Sequence, residues 1–243
     1  MKKYNFSHTP INVNKIKTKY RLIKTKIPVP ESIPFFKKIY ANESHSMHGQ
    51  IPILWDKAEG FQVYDRWGNK WLDFTSTIFV SNAGHGNKKI RHSLKKILDK
   101  PLLHTYTYGS FEKLNYLNYL IKNTPAYFEK AFLLSSGTES TEAALKLMRL
   151  NGMNNDKKKL GIICFEGNWH GRTLGAQMMS GNLNQKEWIG YNDPNIFHLP
   201  FPYPWIKEVK NNSVKFFKES INNLVNKYKI NPKEDICGFM LET

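Results

Sequence analysis

One junction limits the fold more than any other part of this 243-residue sequence. Leu133-Leu134-Ser135-Ser136-Gly137-Thr138-Glu139-Ser140 passes from an apolar run, through small hydroxyl residues, into a helical pattern. Ala131 to Leu134 reads as a buried strand. From Glu139 to about Leu150 the helix puts Ala143, Ala144, Leu147 and Met148 on one face, and no Gly or Pro interrupts it. The first turn of a helix has unpaired N–H donors and a partial positive charge, so a strand, a Ser/Gly/Thr turn and a helix in that order suit a phosphate. Gly137 removes a side chain where a ligand must come close, and Ser136 and Thr138 add hydroxyl donors. A plainer reading stands beside this one. Ser136-x-x-Glu139 is also a capping box, which needs no ligand.

A second junction repeats the pattern. The apolar run Gly161-Ile162-Ile163-Cys164-Phe165 is followed by Glu166-Gly167-Asn168-Trp169-His170-Gly171-Arg172-Thr173. Ligands of open α/β sheets bind at the carboxyl ends of strands. Trp169 there suits stacking on a flat heteroaromatic ring, and Arg172 suits a carboxylate. Core packing for Trp169 and a surface salt bridge for Arg172 are the structural alternatives.

Together these residues resemble one family, the class III pyridoxal-phosphate-dependent aminotransferases. Ser135 to Lys146 resembles the family's cofactor-phosphate motif, and Trp169-His170-Gly171-Arg172-Thr173 its aromatic-His-Gly-Arg-Thr motif. Val63 to Phe74 is similar to its early hairpin, Asn82-Ala83-Gly84-His85-Gly86 to its N-x-G-H turn, and Leu199-Pro200-Phe201-Pro202 to its L-P-aromatic-P loop. Gly238 to Glu242 is similar to its strand ending in Glu. The motifs keep the family's order over roughly residues 35 to 243.

The resemblance implies an α/β, fold-type-I large domain with a mostly parallel sheet, here incomplete, preceded by a small β-meander and an arm. It implies pyridoxal 5'-phosphate as cofactor. Ser136, Gly137 and Thr138 would form its phosphate cradle, Trp169 its ring stack, and His170 and Glu242 further contacts. Arg172 would hold a substrate carboxylate. The implied reaction moves an amino group from an amine or ω-amino acid to a 2-oxo acid, in a homodimer. The family's Schiff-base lysine and pyridinium aspartate lie further along than Thr243, and no residue present matches them. No catalytic residue is therefore assigned, and the chain alone is expected to be inactive. The alternative is a truncated, non-catalytic subunit or relic that binds a partner chain.

The formal charge of +16, from 36 Lys and Arg against 20 Asp and Glu, would permit a nucleic-acid or anionic-membrane partner. The basic residues are spread along the chain, however, and no zinc-finger spacing or aromatic-basic recognition motif appears. Neither partner is expected, and no metal site is expected. Cys164 and Cys237 sit in apolar runs and read as reduced and buried, as in a cytoplasmic protein. No apolar run approaches a membrane span.

The expected organisation is a basic extended or mobile arm over 1–30, an N-terminal segment over 31–100, and the first half of the cofactor-binding domain over 101–243. A short helix is expected over Ile33–Ala41, a loop over Ser44–Gln50 and a β-meander over Ile51–Phe74. His85 reads as structural, without a carboxylate near it in sequence. Helices are expected over Lys88–Lys100, over Phe111–Asn123 with Leu114, Leu117, Leu120 and Ile121 inward, and over Val214–Tyr228. Leu102–Gly109, before the second of these helices, reads as a loop, and Thr173–Ser180, before the third, as a short helix or coil. Further strands are expected over Asn195–Leu199 and Asp235–Leu241, with a rigid aromatic loop over 201–205.

Overall fold

The computed structural model describes residues 6–47, 49–101, 105, 107–154, 159–201 and 212–242. The chain divides into two compact units, Met1–Gly109 and Ser110–Thr243. Half of the loop expected over 102–109 and most of the aromatic loop over 201–205 lie outside the described residues.

The first unit holds an antiparallel sheet. Its strands are β1 (Ile16–Lys17), β2 (Leu22–Ile23), β3 (Lys57–Glu59), β4 (Gln62–Tyr64) and β5 (Lys70–Leu72), in the order β1-β2-β5-β4-β3. The meander forms as its alternation requires, with Val63 opposite Trp71. Positive φ at the hairpin falls on Gly68 alone. The Asp65 carboxylate accepts from the Trp67 and Asn69 backbone N–H groups and fixes that turn. The basic opening is extended but anchored. Leu22 pairs with Lys70, Ile23 is buried, and the Lys24 N–H donates to the buried Asn69 side chain at 3.0 Å. Helix α1 (Ile33–Asn42) starts with Pro34 in its first turn. Within the expected Ser44–Gln50 loop, His45–Met47 makes a single tight turn.

After β5 the chain makes a left-handed turn. Ser76, Thr77, Ile78 and Phe79 have φ of 47°, 56°, 56° and 68°, a region that β-branched residues avoid. Asp73 holds this turn. One carboxylate oxygen accepts from Thr75 N–H and Thr75 Oγ1, and the other from Thr77 N–H and from His85 Nε2 at 2.8 Å. His85 is therefore structural, as expected, but its carboxylate partner is only twelve residues away, contrary to the sequence reading. Burial alone would raise the Asp73 pKa; the hydrogen bonds from His85 and Thr75 outweigh it and hold it below the ordinary 3.8. A depressed carboxylate contributes stability that is complete above its ordinary pKa and is lost as pH falls through the folded value. Asp73→Asn is expected to destabilise this unit by about 1–3 kcal/mol at neutral pH, with the deficit shrinking at a pH below the ordinary 3.8. Urea unfolding followed by tryptophan fluorescence at the two pH values checks this. A deficit that does not depend on pH would exclude the charge as its cause.

Helix α2 (Lys88–Leu98) is capped by Asn87, whose side chain accepts from the Lys89 and Ile90 N–H groups. No helix among the described residues is long and apolar enough to cross a membrane.

The second unit is α/β. Helices α3 (Phe111–Lys122), α4 (Gly137–Met153), α5 (Leu174–Met179) and α6 (Ser213–Tyr228) accompany strands β6 (Gly161–Phe165), β7 (Ile196–Leu199) and β8 (Ile236–Phe239). Among the described residues the sheet has three strands, all parallel, in the order β7-β6-β8. All five residues of β6 are buried, as a central parallel strand demands. Ile163, Phe165, Phe197 and Leu199 pack with Leu224 of α6 on one face. Ile162, Cys164 and Met179 pack with Leu145 and Met148 of α4 on the other.

Three expectations are corrected here. Ala131–Leu134 is not a strand, and Phe132 is 71% exposed. A strand needs a neighbour, and none of the described strands pairs with this run. Helix α3 forms, but it buries no residue, and Leu114 is exposed rather than inward. The last strand is shorter than expected at both ends: Pro232–Asp235 makes a helical turn capped by Asn231, and β8 stops at Phe239.

Candidate functional site

The site grows from the two chain junctions, each at the end of an element of the second unit. Helix α4 starts at Gly137, two residues before the periodicity suggested, with Ser136 as N-cap. The capping box is present in full. Ser136 Oγ accepts from the Glu139 N–H at 3.2 Å, and Glu139 Oε2 accepts from the Ser135 and Ser136 N–H groups at 2.9 and 3.1 Å. The cap leaves material for an anion. The Gly137 and Thr138 backbone N–H groups have no partner among the described residues, the Ser136 hydroxyl retains its proton, and the space beside Gly137 is open.

The loop after β6 reaches this helix start through Gly171. A Cβ on Gly171 would lie 2.6 Å from Thr138 Oγ1 and 2.7 Å from Thr138 Cγ2, and its φ of +133° is one that side chains disfavour. Thr141 Oγ1 donates to the His170 carbonyl at 2.7 Å. Glu142 accepts from Thr173 Oγ1 and, at 2.9 Å, from the Ala176 N–H, so α4 supplies the cap that α5 lacks. Thr138, His170 and Gly171 thus meet at one place.

Trp169 is 43% exposed, which excludes core packing. The Arg172 guanidinium lies 5.2 Å from the Trp169 ring centroid and makes no ion pair among the described residues, so the salt-bridge alternative fails as well. Glu242 closes the loop from the other side. Its Oε2 accepts from the Trp169 N–H at 2.7 Å, while its own backbone N–H and carbonyl pair with the buried Asn168 amide at 3.1 and 3.3 Å. His170 is 6% exposed and its Nε2 has no hydrogen-bond partner. Burial lowers its pKa, and the Glu242 carboxylate opposes that only in part, so the ring favours the neutral form.

The family described as Aminotransferase class-III matches residues 42–243. The chain belongs to the class-III aminotransferase family. An acetylornithine aminotransferase of Clostridium acetobutylicum is 33% identical over 141 residues, which is 58% of this chain and 36% of that protein. Among solved structures, an (S)-enantioselective omega-transaminase from Thermomicrobium roseum matches with a TM-score of 0.73 at 20% identity, over 85% of this chain and 48% of that one. A taurine:2-oxoglutarate aminotransferase from Bifidobacterium kashiwanohense, solved in complex with PLP and glutamate, matches with a TM-score of 0.70 at 20% identity, over 84% and 46%. This class-III chain therefore spans 36% to 48% of the lengths of these relatives. The fold-type-I expectation holds: the second unit is an α/β domain on an incomplete parallel sheet.

The residues that hold the site together escaped the sequence reading. Asn168, Thr141, Glu142 and Ser180 (whose Oγ accepts the His170 N–H at 2.9 Å) all support the loop or the helix start. An Asn directly after Gly167, in the turn that follows β6, was the one signal available.

Proposed function

We propose that this chain is the phosphate- and ring-binding part of a pyridoxal-5'-phosphate-dependent aminotransferase, which moves an amino group from an amine or ω-amino acid to a 2-oxo acid. The observation that carries the reading is the seating of Gly171 against Thr138, which brings an exposed indole and a guanidinium beside the open start of α4. The residues fit the cofactor. Ser136, Gly137 and Thr138 would take its phosphate on two unpartnered N–H groups and two hydroxyls. Trp169 would lie against its ring. The neutral, unpartnered Nε2 of His170 is the buried polar atom in this region that still needs a partner.

When bound, the cofactor supplies the electron sink that lets a proton leave the carbon bearing the amino group. This chain's residues bind and orient. Glu242 is a positioning residue, because its carboxylate is already committed to the Trp169 N–H. Arg172, free of any protein carboxylate among the described residues, is suited to a substrate carboxylate. The reading extends to a homodimer, as the family resemblance implies. None of the lysines in residues 1–243 matches the family's cofactor-linked lysine, so the 243-residue chain is expected to bind the cofactor without turnover.

Titration of the chain with pyridoxal 5'-phosphate tests this. Saturable quenching of tryptophan fluorescence is expected, with Trp169→Ala weakening binding by about tenfold. A folded chain that shows no saturable binding would overturn the reading.

A further inference from the structure

At the outer edge of β7 a cavity of about 360 Å³ opens, sharing no lining residue with the Trp169–Arg172 loop. Its walls mix polar groups with apolar and aromatic side chains, Met178, Ile189, Ile196 and Tyr228 among them, and Lys186 and His198 sit in the lining. Lys186 Nζ donates to the Met178 carbonyl at 2.8 Å and lies 3.2 Å from His198 Nε2. That same Nε2 lies 3.1 and 3.0 Å from the Met179 and Ser180 carbonyls. Two carbonyls can only accept, so Nε2 is held in its protonated, donating form. A lysine ammonium facing it then meets donor with donor, whereas a free amine offers its lone pair.

Nothing nearby restores the charged form. No carboxylate lies within ion-pair distance of Lys186 among the described residues, and Asp193, the acid in the cavity lining, is held by Arg149 at 2.7 Å. Behind the pair, burial pushes the Cys164 thiol up to about 12, so it contributes no negative charge near neutral pH. Burial likewise lowers the Lys186 pKa. For His198 burial lowers the pKa first, Lys186 adds to this, the two carbonyls oppose it, and His170 lowers it slightly further. A desolvated lysine beside another proton-bearing group is the arrangement that makes an amine nucleophilic.

We propose that Lys186 is a reactive amine, and that this cavity admits a small aromatic or apolar aldehyde, which Lys186 captures as an imine. The Nζ lone pair forms a bond to the carbonyl carbon, and the C=O π pair moves to oxygen. A proton passes from Nζ to that oxygen through solvent water. Loss of the second Nζ proton and of the oxygen as one water leaves the C=N bond. Amine plus aldehyde gives imine plus water, and no oxidant or reductant is consumed. This inference does not depend on cofactor binding at α4.

The test is competition among lysines within the 243-residue chain. The probe is salicylaldehyde near neutral pH, trapped with cyanoborohydride and mapped by peptide mass spectrometry, with the exposed Lys215 and Lys227 of α6 as internal references. Lys186 is expected to label about tenfold faster than either, as a desolvated amine does beside solvated ammonium groups. That advantage should disappear in urea. His198→Gln should slow Lys186 while leaving Lys215 unchanged. Lys186 labelling no faster than the exposed lysines, or an advantage that persists in the unfolded chain, would overturn the proposal.

Discussion

Gly181→Ala is expected to cost the second unit about 3 kcal/mol, among the largest single-residue effects in the chain. Gly181 follows α5 and donates its N–H to the Asn168 carbonyl at 2.7 Å. A Cβ there would lie 2.6 Å from the Glu166 carbonyl carbon, and closer still to Gly167 N and Phe165 O. These atoms are all backbone, at the end of the most buried strand, and no rotamer change moves them. Gly238 makes an instructive contrast. A Cβ there meets the Met148 side chain, which is flexible, so Gly238→Ala should be milder. Urea midpoints of the two variants decide the matter. A loss below about 1 kcal/mol for Gly181→Ala would show that the β6 end yields more easily than its packing implies.

Gly171→Ala is expected to act on binding as well as on stability. Its φ of +133° belongs to a region where a side chain costs about 1–3 kcal/mol, and the new methyl would strike Thr138 in the helix start. The loop must then move away from α4, taking Trp169 and Arg172 with it. Affinity for pyridoxal 5'-phosphate is expected to fall by tenfold to a hundredfold, on the order seen when a binding frame loosens by about 1 Å. Fluorescence titration of the folded variant measures this. Binding equal to that of the parent chain would mean that the Gly171–Thr138 seat is not the frame of the site.

What could be read from sequence was local. The start of α4, the burial of β6 and the glycine-flanked Trp-His-Gly-Arg loop each follow from a few adjacent residues. What could not be read depends on neighbours far along the chain. Leu133 and Leu134 have the apolarity of a strand, yet apolarity supplies no partner, and none of the described strands takes them in. Asp73 and His85 are a short step apart once the left-handed turn folds back, but four consecutive positive φ values at Ser-Thr-Ile-Phe have no sequence signature. Asn168 gives no sign of Glu242, and Thr173 gives no sign of Glu142.

The seal that Glu242 places on the Trp169 loop also has a meaning in time. It closes over 73 and 74 residues, the longest-range of the side-chain hydrogen bonds described, and it depends on the parallel pairing of β6 with β8. Loop-closure entropy delays such non-local contacts, whereas α4 and its capping box are local and form early. During refolding, helical signal should therefore recover first. The indole of Trp169 should reach its final environment only with the slowest phase, so the ring platform is the last part of this half-site to become ready.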